Sequence, residues 1–312
     1  MHLDDGERAW QKAVTRPLTT VDWLTIQYPS QKAMLLRVVG AVLLGLASTS
    51  AFAEDIRVRL VPREMVEDRL REYSGTNSER GARLKRMFTD AGCGEQLSEQ
   101  PVKHSKIPNV ICVLPGTSDR VIIVGGHFDR VPTSDGVADN WSGASLLPSF
   151  YKALKGEPRR HTYVFIGFTD EEKGLVGSHF YARQMTREQV AVTDAMVNLD
   201  TLGLAPTEVW AHRSDKSLME ALVRVALYLK MPISAVNFER VGSTDSESFA
   251  SRKIPRITIH SLTQKSENAM ILHTPKDKLS AMNLDDYYDT YHVVAVYLAY
   301  LDQFSARTAP SR

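Results

Sequence analysis

Short β-branched apolar runs alternate along the chain with longer stretches whose apolar residues recur every three or four positions. Residues 121–124 (VIIV) are near-continuous apolar, the pattern of a central strand covered on both faces. Residues 109–114, 161–168, 195–199 and 257–260 read as further strands. Helices read at 63–72, at 142–155 with Ala144, Leu147, Tyr151 and Leu154 recurring on one face, at 177–185, at 216–230 with Leu218, Leu222, Val225 and Leu229 on one face, and at 284–304, a long run rich in Tyr and Val. A capping box, Thr76-x-x-Glu79, opens another helix that runs to about Ala91 and stops at Gly92. This alternation predicts an α/β fold: a single domain with a mixed, mostly parallel central sheet covered by helices on both faces. No repeat or low-complexity linker interrupts residues 54–312, which read as one domain.

The amino-terminal region follows a different pattern. Residues 38–47 form an apolar run behind Arg37, followed by small residues and by Ala51-Phe52-Ala53. That is the arrangement of a secretory signal peptide, too short to span a bilayer. Met34 would start such a peptide at ordinary length, so 34–53 reads as the signal and 1–33 as an over-extended start or a short tail. The competing reading is an uncleaved membrane anchor. Cleavage near Ala53 would export the rest, to a periplasm or to the outside, with no stable membrane association. In an oxidising compartment Cys93 and Cys112 are able to pair, but sequence does not establish whether their side chains face each other.

Charge adds an exclusion. There are 38 basic and 37 acidic residues, with no basic run or stripe, so nucleic acid is not an expected partner.

The candidate chemistry sits where strands end. Residues 121–143 carry His127, Asp129 and Asp139 between flexible glycines. Strand 161–168 runs into Asp170-Glu171-Glu172, strand 195–199 into Asp200, and a late loop holds Leu272-His273-Thr274-Pro275. Two adjacent glutamates after a buried strand make sense if one binds a cation and the other faces water. A fourth polar segment, 243–249, is less distinct. His104, His161, His179, His212, His260 and His292 read as ordinary side chains.

The motifs GGHFD (125–129), DNWSGA (139–144), DEEKGLVGS (170–178), NLD (198–200) and LHTPKD (272–277) occur in an order that resembles the secreted co-catalytic two-zinc aminopeptidases. These include bacterial leucyl aminopeptidases and have glutaminyl cyclases as relatives. The resemblance implies the zinc-exopeptidase (phosphorylase/hydrolase-like) fold and two Zn2+ ions per chain. It implies metal ligation by His127, Asp139, Glu172, Asp200 and His273, with Asp139 bridging, His127 and Asp200 on one ion, and Glu172 and His273 on the other. It further implies that the ions share a hydroxide, that Glu171 is the general base, and that Asp129 accepts the other ring N–H of His127. The peptide after Asp139 would be cis. The implied activity is hydrolysis of the amino-terminal bond of a peptide or small amino-acyl substrate.

The alternatives are a glutaminyl-peptide cyclotransferase, a dipeptidase or carboxypeptidase on the same scaffold, and a non-catalytic binding domain. Cyclases carry a longer insertion after the paired glutamates, whereas here Gly174-Leu175-Val176-Gly177-Ser178 follows almost at once. Arg130, Trp141 and Ser246 depart from the common pattern, and Trp141 reads as a residue that narrows or lines the substrate pocket.

Overall fold

A computed structural model describes residues 56–237, 242–263 and 270–304. The signal segment, its cleavage at Ala53 and the reading of 1–33 lie outside the described residues. No helix among the described residues is long and apolar enough to cross a membrane.

Sixteen helices and strands carry the site, in chain order: α1 (Arg63–Arg71), α2 (Asn77–Asp90), β1 (Leu97–Gln100), β2 (Asn109–Leu114), β3 (Val121–His127), α3 (Ser142–Lys155), β4 (Thr162–Phe168), α4 (Val176–Gln184), α5 (Arg187–Val192), β5 (Thr193–Leu199), β6 (Glu208–Trp210), α6 (Lys216–Leu229), β7 (Ser234–Val236), α7 (Glu247–Ala250), β8 (Arg256–His260) and α8 (Leu284–Phe304). They form one 8-stranded mixed sheet in the order β1-β2-β4-β3-β5-β8-β6-β7. The inner block β4-β3-β5-β8 is parallel, and antiparallel pairs join it to β2 on one side and β6 on the other.

Strand alternation divides the core between two faces. Ile122 and Val124 pack beneath α1, α2, α3, α6 and α8 in the larger cluster. Ile123, Ile166 and Met196 point the other way and join Ala182, Phe249 and Ile254 around α4 and α7. The long α8 is apolar nearly all round because its middle is enclosed. Its tyrosines stay bonded there: Tyr297 donates to Leu218 O (3.0 Å) and Tyr287 to Ser142 O (2.8 Å).

The predicted caps are present. Thr76 and Glu79 make the reciprocal box at α2, and Gly92 takes φ 87° beyond its end. Cys93 and Cys112 are bonded to each other, joining the approach to β1 with β2.

The sheet topology fixes the site. From β3 the chain goes to β4 on one side and later to β5 on the other, so β3 is the point where strand order reverses. In such sheets a crevice opens beyond the carboxyl ends of the diverging strands. The register puts His127 level with Phe168 and Leu199 level with Ile259, so residues that follow β3, β4, β5 and β8 emerge at one edge.

Candidate metal and active site

β3 ends in His127, whose imidazole is only 1% exposed. Asp129 follows, fully buried, and its carboxylate accepts the backbone N–H groups of Glu171 (3.0 Å) and Glu172 (3.2 Å). The predicted bond to His127 is looser. His127 Nδ1 stands 3.4 Å from Asp129 Oδ1, so the stronger action of Asp129 is on the turn that presents the two glutamates.

The loop between β3 and α3 delivers Asp139. Asp277 accepts three successive amides from it: Val137 (3.1 Å), Ala138 (2.7 Å) and Asp139 (3.2 Å). The Asp139–Asn140 peptide is cis, as the resemblance implies. Asn140 then ties the loop to the end of β5, donating to Leu199 O (2.8 Å) and accepting from Thr201 N (3.2 Å) and Gly143 N (3.0 Å). Gly143 permits this approach, since a Cβ there would stand 2.5 Å from Leu199 O.

The side chains predicted from sequence converge. Asp139 Oδ1 lies 3.3 Å from His127 Nε2, and Asp139 Oδ2 lies 3.2 Å from His273 Nε2. His273 also meets Glu172 at 2.9 Å, and His127 faces Asp200 at 3.8 Å and Glu171 at 3.9 Å. Potential ligand atoms of His127, Asp139 and Glu172 lie within 4.8 Å of one another, as do those of His127, Glu171 and Asp200. Asp170, Thr201 and His273 adopt positive φ (52°, 56° and 59°) without being glycine. Such backbone conformations persist where surrounding structure over-determines them, often beside functional groups.

The electrostatics are those of crowded carboxylates. Burial raises Glu171 well above the usual range, and the charges of Asp245, Asp200 and Asp139 reinforce it against His127. Burial likewise raises Glu172, opposed by its bond to His273. Burial works against protonation of His127, but Glu171 and the bonds to Asp129, Asp139 and Asp200 outweigh it and raise the group well above 6.5. Bonds to Asp139 and Glu172 lift His273 to about 10. The cluster therefore calls for positive charge, which protons on the two histidines supply in part. Mixed imidazole and carboxylate donors suit zinc, and Glu172 Oε1 has no hydrogen-bond partner among the described residues. The residues fit divalent-cation binding.

Three participants were not singled out from sequence. Thr244, in the less distinct segment 243–249, donates to Asp200 Oδ2 (2.7 Å) and accepts from Asn198 Nδ2 (2.6 Å). Asp277 stood in a quoted motif without a role. Arg80 carried no signal, because an arginine on an amphipathic helix reads as solvated.

A cavity of about 260 Å³ opens over the carboxylates and is walled by Trp210, Thr258, His260, Leu262 and Leu272. His260 is therefore part of the crevice wall and not merely an ordinary side chain. Burial pushes it down to about 3, so it is neutral, and its Nδ1 accepts Leu262 N–H (2.9 Å). Trp141 is not in that wall. It is fully buried, and its Nε1 donates to Arg69 O (2.9 Å), so the expectation that it shapes the pocket is corrected. Arg130 likewise spends its guanidinium on the carbonyls of Gly75, Val131 and Ser134.

The model of peptidase family M28 matches residues 109–298. Aminopeptidase YwaD of Bacillus subtilis is 27% identical over 165 residues, covering 51% of this chain and 36% of the relative. A probable leucine aminopeptidase of Arthroderma benhamiae is 30% identical over 131 residues, covering 38% of this chain and 36% of the relative. The chain thus spans about a third of the length of these curated relatives. Among solved structures, the Legionella pneumophila LapA aminopeptidase superposes with a TM-score of 0.67 at 18% identity, over 78% of this chain and 72% of that one. An Acidobacteriales bacterium glutaminyl cyclase gives 0.66 at 16% identity, over 82% and 99%.

Proposed function

The chain belongs to peptidase family M28, and from that premise we propose that it is a zinc-dependent exopeptidase removing the amino-terminal residue of a peptide. The observation that carries the reading is the placement of Asp139, whose two carboxylate oxygens face two different histidines. His127 and Asp200 would hold one ion, Glu172 and His273 the other, and Asp139 both. When bound, zinc polarises a carbonyl and makes water a competent nucleophile at neutral pH.

The chain's own residues supply the remainder. Glu171 takes the proton of the attacking water at its carboxylate and returns it to the leaving nitrogen. Asp129 holds the amides of Glu171 and Glu172 and thereby fixes the direction in which both carboxylates point. The Trp210–His260 wall, with ring centroids 6.3 Å apart, excludes water from one side of the crevice. The Cys93–Cys112 bond supports export into an oxidising compartment after cleavage near Ala53.

The likeness to a glutaminyl cyclase supports a second reading, cyclisation of an amino-terminal glutamine. Against it, a single turn at Glu171–Lys173 leads through Gly174 and Leu175 straight into α4, without a longer insertion. Incubation with Leu-p-nitroanilide and with a Gln-initiated peptide separates the two. Chelator-sensitive release of nitroaniline supports the peptidase, and pyroglutamate formation alone overturns it.

A further inference from the structure

Arg80 of α2 is fully enclosed, yet no carboxylate pairs with it among the described residues. Its guanidinium lies 5.1 Å over the ring of Trp141 and donates to two consecutive carbonyls, Asp135 O (3.1 Å) and Gly136 O (2.8 Å). The next three residues turn their amides the opposite way, onto the carboxylate of Asp277. Residues 135–139 are thus gripped between a cation on their carbonyl side and an anion on their amide side. Gly136 lies in this stretch with φ 59°, where a Cβ would stand 3.0 Å from Arg80 Nη1 and 2.5 Å from Arg130 Cβ.

A buried arginine without a carboxylate is costly, and an apolar side chain in its place would leave the carbonyls of Asp135 and Gly136 without these donors. The planar fork of arginine matches two carbonyls at once, whereas a lysine offers a point charge. Burial and the neighbouring charge of Arg130 disfavour the cation, and Asp129, Asp277 and Asp139 offset that only in part.

We propose that Arg80 is a positioning residue for Asp139: by holding the carbonyls of Asp135 and Gly136 against the pull of Asp277, it sets the rotation at which the Asp139 carboxylate meets His127 and His273. The inference rests on the reading of Asp139 as the ligand shared by two ions.

The test compares wild type, Arg80→Lys and Arg80→Met by zinc competition against a chromophoric chelator, melting of the metal-free proteins, and steady-state kinetics. Both variants should bind zinc about 10-fold or more weakly, and kcat should fall with KM little changed. Arg80→Lys should fold with a metal-free melting temperature near that of wild type, and it decides the matter if Arg80→Met does not fold. Wild-type zinc affinity in folded Arg80→Lys overturns the inference, and so does a loss confined to melting temperature. Wild type that binds no zinc overturns the reading beneath it instead.

Discussion

The carboxylate of Asp277 accepts the backbone N–H of Asp139 at 3.2 Å across 138 residues of sequence. The same carboxylate takes the amides of Val137 and Ala138, so the conformation of the whole loop depends on an acid near the carboxyl end of the chain. In Asp277→Asn an amide NH2 must face backbone donors in a buried place. That change should destabilise the metal-free protein by about 2–3 kcal/mol, read from urea unfolding, and should weaken zinc binding in the folded fraction.

Asp200 depends in the same manner on Thr244, which relays Asn198 to its Oδ2. Thr244→Val removes the donor while keeping the shape. It should lower zinc affinity about 10-fold or more in a chelator competition, and Thr244→Ser should restore most of it. Equal affinity in the valine variant would show that Asp200 needs no such anchor.

Glu171 provides a sharper division between binding and chemistry. Glu171→Gln should retain metal and reduce kcat by roughly 10²–10⁴, since the side chain keeps its shape and loses its proton-accepting oxygen. Zinc analysis alongside the rate measurement checks both halves. Activity that survives the change removes Glu171 from its role.

Acid–base behaviour should differ between metal-free and zinc-loaded protein. His273 rises from 6.5 to about 10 through its bonds to Asp139 and Glu172. A folded-state value above the unfolded one gives stability that is complete below pH 6.5 and fades as pH rises through about 10. Melting temperatures of the chelated protein should therefore fall over that interval. With zinc present the histidine is held deprotonated, so the decline should largely vanish, and zinc affinity should climb with pH over the same interval.

These dependencies explain which parts of the molecule sequence could announce. His127, Asp139, Glu171, Glu172, Asp200 and His273 stand out because each lies beside a strand end or in a loop, in an order that is hard to reach by chance. The long helices α3 and α8 were visible to the residue, α3 through an apolar stripe at helical spacing and α8 as a long run rich in Tyr and Val. Strands β6 and β7 were not, since Glu208–Trp210 and Ser234–Val236 are too short to show a period. Helix α5 did leave a signal, the capping box Thr186-x-x-Gln189, ahead of too few residues to suggest a helix. Arg80, Thr244 and Asp277 act through backbone atoms or through one hydroxyl far away in sequence, and no local pattern encodes that. Trp141 misled for a related reason: a large ring beside a ligand suggests a pocket wall, whereas it packs between Arg69 and Arg80 beneath the loop.

The central claim is that Asp139 joins two metal positions at which an amino-terminal peptide bond is cut. Its most direct test is to strip the protein with chelator, return zinc stepwise, and follow both bound metal and hydrolysis of Leu-p-nitroanilide. The account predicts no hydrolysis in the stripped protein and recovery that saturates at about two equivalents of zinc per chain. Hydrolysis that persists in chelator, or saturation with zinc that brings no hydrolysis, would contradict it.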